Sequence, residues 1–186
     1  MNFKKLIENY TPSCKQEEIE KEQILEYVKM FPDVLTRENK LCHFTASAFV
    51  VSKDRKKVLM EYHNIYNSWG WEGGHVDGES DFLAVAVREV EEETGLKIKD
   101  YENSKIEALD ILPVLGHVKK GKWVSAHLHL NVTYIFFADE ESVRNKPDEN
   151  SEVGWKSIDD VLNLTTENHM IPVYEKLIKK VITHGM

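Results

Sequence analysis

Residues 73–96 read GGHVDGESDFLAVAVREVEEETGL, a glycine turn that runs into a carboxylate-rich segment closed by Gly95. At roughly 100° per residue, Leu83, Ala86, Val87, Val90 and Thr94 fall on one apolar stripe of a helix. Glu89, Glu92 and Glu93 fall together beside that stripe, because spacings of three and four share a face. Glu91 points to water. Like charges at these spacings cost a few tenths of a kcal/mol per pair. They also crowd the helix C-terminus, where the macrodipole disfavours negative charge. A run of charge ordinarily marks a solvated face. Here the glycine turn ahead of the helix and the packing stripe beside the carboxylates point instead to a bound divalent cation. Hard ions such as Mg2+ take oxygen ligands and share them with phosphate.

The stretch resembles the Nudix box, G-x5-E-x7-R-E-U-x-E-E-x-G-U, where U is apolar. Gly74 takes the place of the first glycine. Arg88, Glu89, Val90, Glu92, Glu93, Gly95 and Leu96 match the second half without a gap. The spacing puts the first glutamate of the box at Ser80, and Glu79 stands one residue earlier. In the family that glutamate braces the loop against the helix arginine, so Glu79 is expected to substitute, or the loop to shift its register. The resemblance implies a MutT-like Nudix hydrolase with the fold of an α/β/α sandwich, a mixed sheet between helices. Residues 41–186 would form that domain and residues 1–40 a helical N-terminal extension. Without the resemblance, the residues give only a mixed α/β chain arranged around one acidic helix.

The chain has 186 residues, 41% hydrophobic and 30% charged, the balance of one globular domain with room for a core. A net charge of −8 with no basic block argues against bulk nucleic-acid binding, which needs a positive surface. No apolar run approaches the ~18 residues of a membrane span. The first ten residues, MNFKKLIENY, lack the apolar core of a secretion signal. Cys14 and Cys42 are therefore expected to be free thiols in a cytoplasmic protein.

Before the box, Phe3, Leu6, Ile7 and Tyr10 have helical spacing. Ile19, Ile24, Leu25, Val28 and Phe31 repeat it up to Pro32. These helices carry no chemical motif and are read as a packed extension, with a cover over the site or a homodimer contact as alternatives. Residues 42–51 and 56–62 read as strands joined by a turn at 52–55. His43, at the start of the first, is read as structural. Tyr66, Trp69 and Trp71 precede the glycines. Such aromatics stack on flat ligand groups or pack in cores. Trp69 is weighed equally between the two, and Trp71 is assigned to the core.

After the box, residues 106–115 read as a strand with Pro113 at an edge or bend. His117, Lys119, Lys120 and Lys122 surround Gly121 in a basic hairpin tip. Lys120 there is a candidate contact for a phosphate tail, against the plainer reading of a solvated turn. Residues 123–138 read as one long strand. His127 and His129 share a face of it. Two histidines so placed suit a transition metal, but no neighbouring Cys or acid in sequence completes that site. They are read as lining the substrate cleft or packing in the sheet, with either available as a secondary base. Residues 139–155 read as a polar loop, Trp155–Ser157 as a short strand with Ser157 capping a helix, and 166–182 as a C-terminal helix interrupted or begun near Pro172.

The resemblance also implies roles. Glu89, Glu92 and Glu93 would be the main ligands of Mg2+ (or Mn2+), joined by the backbone carbonyl of Gly73. Several Nudix enzymes draw one further acid from a loop after the central strands, and Glu149 is favoured here over Glu152. Glu89 or Glu149 would orient or deprotonate water. Arg88 has i,i+4 spacing to Glu92 and would position that carboxylate. The substrate would be a small diphosphate: a nucleoside diphosphate linked to another moiety, or a related pyrophosphate. The alternative is a Nudix-like module that binds a nucleotide or sugar phosphate without cleaving it. An isopentenyl diphosphate isomerase type ranks last, because the glycine loop GGHVDG holds no cysteine.

Overall fold

The computed structural model describes residues 3–65, 67–119, 121–147 and 150–183. In chain order the elements are α1 (Phe3–Asn9), α2 (Lys15–Met30), β1 (Cys42–Ser52), β2 (Lys57–His63), β3 (Ser68–Gly70), β4 (Glu72–His75) and α3 (Phe82–Thr94). There follow β5 (Ala108–Val114), β6 (His117–Lys119), β7 (Lys122–Val124), β8 (His127–Ala138), β9 (Asn150–Ser157), α4 (Val161–Leu164) and α5 (Ile171–Thr183).

β1 is the centre. It runs parallel to β8 over its full length, and β8 pairs antiparallel with β5 at the edge. Pro113 sits in that edge strand, where a missing N–H is tolerated. On its other side β1 meets β4 and then, at Val51, β2. β2 carries β9 and β3. The result is one seven-stranded mixed sheet, with β6 and β7 forming a separate two-stranded hairpin.

Strand alternation sorts β1 and β8 into two faces. Phe44, Ala46, Ala48 and Val50 of β1, with Leu130, Val132, Tyr134 and Phe136 of β8, face one core. α1, α2 and α3 close that core through Ile7, Ile24, Val28, Phe82, Val85, Ala86 and Val90. On the opposite face Phe49, Val51 and Ile135 meet Val161, Val173, Tyr174, Leu177 and Val181 of α4 and α5. Helices thus cover both faces, as the sandwich requires. Toward the other end of that second face the side chains turn polar, and a cleft opens there.

α3 begins where the Asp81 carboxylate accepts from Ala84 N–H at 3.2 Å. It ends at Gly95, whose φ of 74° is a left-handed cap that most side chains resist. Its buried stripe is Phe82, Val85, Ala86, Val90, Glu93 and Thr94, while Leu83 and Val87 are only half-buried. The expected stripe was therefore rotated, and Glu93 lies inside it.

Other expectations change. Residues 123–138 form two strands, since Lys122–Val124 closes the β6–β7 hairpin before β8 begins. The polar segment becomes strand at Asn150, earlier than Trp155. Ser157 ends β9 ahead of a 3-10 turn and makes no side-chain cap bond. Ile19 of α2 is exposed, whereas Glu17 is fully buried. That glutamate accepts from Tyr10 Oη (2.6 Å) and Ser13 N (2.7 Å), and pairs with Lys176 (3.1 Å) and Lys180 (3.3 Å) of α5. The N-terminal helices are therefore tied to α5 by a buried ionic cluster that apolar periodicity does not reveal.

Candidate active site

The polar end of the cleft face follows from the sequence of β1 and β8 read at every second position. His43, Thr45 and Ser47 precede Phe49 in β1, and His129, Asn131 and Thr133 precede Ile135 in β8. The parallel register sets His43 beside His129, Thr45 beside Asn131 and Ser47 beside Thr133. Asn131 Oδ1 accepts from Thr45 Oγ1 (2.8 Å) and Ser47 Oγ (2.9 Å), and its Nδ2 donates to Thr133 (2.9 Å). This ladder floors a cleft of about 840 Å³, which also reaches Glu61, Gly73, Gly74, Glu89, Glu92 and Glu93.

β4 brings the glycines against this floor, with Gly73 paired to Ser47 and Gly74 to Ala46. Gly73 N–H donates to Glu93 Oε2 at 3.0 Å. A Cβ on Gly74 would stand 2.5 Å from the Glu89 carboxyl carbon. Only glycine lets that carboxylate lie against the strand. Glu92 is half-exposed at the rim, 3.7 Å from Lys146 Nζ.

Two further acids complete the set. Glu72, the first residue of β4, is fully buried, and neither carboxylate oxygen has a hydrogen-bond partner. Glu61 of β2 is 2% exposed and accepts from Asn150 Nδ2. Asn150 also donates to Glu93 O at 3.2 Å, so it joins β9, β2 and the end of α3. Burial first, and the Glu61 carboxylate second, push the pKa of both Glu72 and Glu93 well above the usual carboxylate range.

Arg88 Nη1 donates to Glu79 Oε2 at 2.7 Å. Glu79 thus braces the arginine from one residue before the expected position. The Arg88–Glu92 approach is longer, 3.9 Å, so Glu79 and not Glu92 is the main partner of Arg88.

A family model for the NUDIX domain matches residues 43–177. The chain belongs to the NUDIX family. It is 32% identical over 126 residues to a CMP-5'-(N-acetyl-N-hydroxy-3-aminopropyl)phosphonate hydrolase of Streptomyces rubellomurinus, a match covering 64% of this chain and 54% of that protein. The chain thus spans about half the length of that relative. It is 30% identical over 144 residues to an RNA pyrophosphohydrolase of Pelagibacter ubique, covering 71% and 86% of the two chains. The crystal structure of the MutT protein from Bacillus halodurans shares the fold with a TM-score of 0.54 and 22% identity, over 73% of this chain and 81% of that one.

NUDIX proteins characteristically use Mg2+ or Mn2+, and the residues present fit such an ion. Glu72 holds two buried oxygens without partners, Glu93 is buried beside it, and the surrounding donors are carboxylates. Uncompensated buried carboxylates are costly, and a hard dication is the counter-charge they lack.

The structure brings Glu89, Glu92, Glu93 and Gly73 to the cleft with His127 and His129. It does not bring Trp69, whose ring carries Lys156 Nζ at 3.7 Å and packs edge-on against Tyr62. Trp71 lines the cleft instead, edge-on to Tyr174. Ser68 and Gly70 take the cleft side of β3, which turns Trp69 away, and Trp71 lies in the break between β3 and β4. Glu152 lies exposed in β9, paired with Lys156 at 3.2 Å. Glu149, Lys120 and Tyr66 lie outside the described residues.

Sequence reasoning missed Glu61, Glu72, Asn150, His43 and His75. For Glu72 a signal existed: an acid inside WEGG, two residues before the box glycine, alternates with Gly73 across the strand. The others depend on pairings between strands far apart in the chain.

Proposed function

We propose that this chain is a metal-dependent hydrolase of phosphoanhydride bonds, acting on a nucleoside diphosphate linked to another moiety or on a related pyrophosphate. The observation that carries this reading is the set of carboxylates Glu61, Glu89, Glu92 and Glu93 that line the cleft beside Gly73 and Gly74, with the buried and unpartnered Glu72 behind them. Glu89, Glu92 and Glu93 are the ligands of Mg2+ or Mn2+ in this reading, with the Gly73 carbonyl beside them. Held by these residues, the ion would supply the charge neutralisation that phosphoryl transfer needs.

The chain's own residues divide the remaining work. Gly74 keeps the Glu89 carboxylate at the strand, where it can orient a water. Asn150 fixes Glu61 and the C-terminal turn of α3. Arg88 and Glu79 hold the loop onto the helix. His127 and His129 form the wall facing the substrate, and Trp71 offers the flat surface first assigned to Trp69. Glu149 stays in the proposal as the loop acid on sequence grounds, and Lys120 likewise as a contact for a phosphate tail.

The test is phosphate release from a panel of nucleoside diphosphate derivatives with Mg2+ or Mn2+, with a coupling phosphatase so that either product is visible. Metal-dependent turnover that is lost in Glu92→Gln is the expected result. Ligand and metal binding without turnover on any member would favour the binding module.

A further inference from the structure

Four histidines from three strands converge in the wall of the cleft. They are His43 of β1, His75 of β4, and His127 and His129 of β8. One ring nitrogen from each falls within 4.8 Å of the others. His127 Nε2 and His129 Nε2 stand 3.2 Å apart. Two nitrogens that share a tetrahedral ion at 2.0–2.1 Å are separated by about 3.3 Å.

The tautomers are set from outside the cluster. His43 Nδ1 lies 3.0 Å from the Asn39 carbonyl, and His127 Nδ1 lies 2.9 Å from the Ser125 carbonyl. A carbonyl only accepts, so each Nδ1 carries the proton and each Nε2 presents a lone pair. This is the outer support that metal-bound histidines usually have. His43 is 4% exposed, and its Nε2 has no hydrogen-bond partner. An orphaned buried acceptor costs roughly 1–3 kcal/mol unless something binds it.

We propose that His43, His75, His127 and His129 form a second metal site, for a borderline transition ion of the Zn2+ class, separate from the carboxylate site. Imidazole nitrogens select Zn2+, Ni2+ or Cu2+ over Mg2+, just as the carboxylates select the hard ion. The histidines form one wall of the cleft that Glu61, Glu89, Glu92 and Glu93 also line, and Glu72 lies on the opposite face of β4 from His75. His75 pairs with Thr45 on the cleft face, and Glu72 pairs with Ala48 on the α3 face. An ion held by neutral imidazoles keeps its full double charge, ties β1, β4 and β8 at the mouth of the cleft, and places positive charge beside the space for an anionic substrate. This site does not depend on the chain being a hydrolase.

The test is titration of the full, chelator-stripped protein with Zn2+ alone and then Co2+, at saturating Mg2+. One equivalent of Zn2+ should bind, and Co2+ should give the intense visible absorption of tetrahedral nitrogen ligation. His129→Ala should weaken binding by on the order of 100-fold or more. His127→Ala, at a half-buried position that leaves the core packed, should do the same with an unchanged circular dichroism spectrum. Glu92→Gln should leave Zn2+ affinity within a few-fold of the wild type. Zn2+ binding that survives both histidine substitutions, binding that Glu92→Gln abolishes, or no stoichiometric binding at all would each overturn the proposal.

Discussion

Among the described residues, two buried carboxylate clusters stand out, and their surroundings differ. Glu17 is fully buried, yet it is met by Tyr10, Ser13, Lys176 and Lys180. Those partners outweigh the cost of burial and hold its pKa down at about 2. Glu72 and Glu93 are buried to a similar degree but meet other carboxylates, and burial drives their pKa upward. A buried acid with its counter-charge built in fastens helices together. One without it waits for an ion. Burial alone does not mark a site, whereas burial without compensation does.

Substitutions by the neutral isostere separate the two regions. Glu93→Gln should reduce turnover on the order of 1,000-fold, the scale on which losing one charge-stabilising group acts. In metal-free buffer it should leave the urea midpoint unchanged or higher, since no counter-charged partner is lost with the carboxyl group. Glu17→Gln should do the reverse, costing about 3–5 kcal/mol because it removes the buried carboxylate that both Lys176 and Lys180 face, with turnover intact. Equal stability losses in both variants would break the comparison.

Acid sharpens it. The pKa of Glu17 is lowered in the folded protein, so its contribution is fully present above about 4.5 and is lost as pH falls toward about 2. It amounts to about 3 kcal/mol. Asp110 and Glu20 nearby, both raised by burial, run in the opposite direction. The stability difference between wild type and Glu17→Gln therefore isolates the effect, and it should shrink steadily from pH 5 to pH 2.5 in urea titrations.

Gly74→Ala should lower turnover by about 10- to 100-fold, the cost of misplacing a reacting group by about 1 Å. The added methyl would stand 2.5 Å from the Glu89 carboxyl carbon and displace it. Glu79→Gln should have the smallest effect on stability, below about 1 kcal/mol by thermal melting, because its pair with Arg88 is about 40% exposed on both sides.

Legibility followed distance along the chain. The box helix, its glycines and Glu89, Glu92 and Glu93 were readable because helix periodicity is local. The strands of residues 42–52 and 57–63 were readable from their apolar runs, and the edge position of Pro113 from its missing donor. Glu61 and Asn150 were not, because the ladder between β2 and β9 joins positions about 90 residues apart. The neighbours of His43 are hidden for the same reason, because His129 is reached only through the β1–β8 register. Glu17 was hidden because a buried glutamate in an amphipathic helix looks like a solvent-facing one until Lys176 and Lys180 are placed opposite it. Trp69 turns from the cleft because its neighbours Ser68 and Gly70 take the cleft side of β3, whereas Trp71 lies between β3 and β4, where it packs against the core as expected and also reaches the cleft.

The most direct test of the contrast is the melting temperature of wild type, Glu17→Gln and Glu93→Gln, each with and without saturating Mg2+. Wild type and Glu17→Gln should both rise on adding Mg2+, from different starting points, while Glu93→Gln starts at or above wild type and does not move. A Glu93→Gln protein that Mg2+ stabilises as much as wild type, or one that melts far below wild type without metal, would contradict the account.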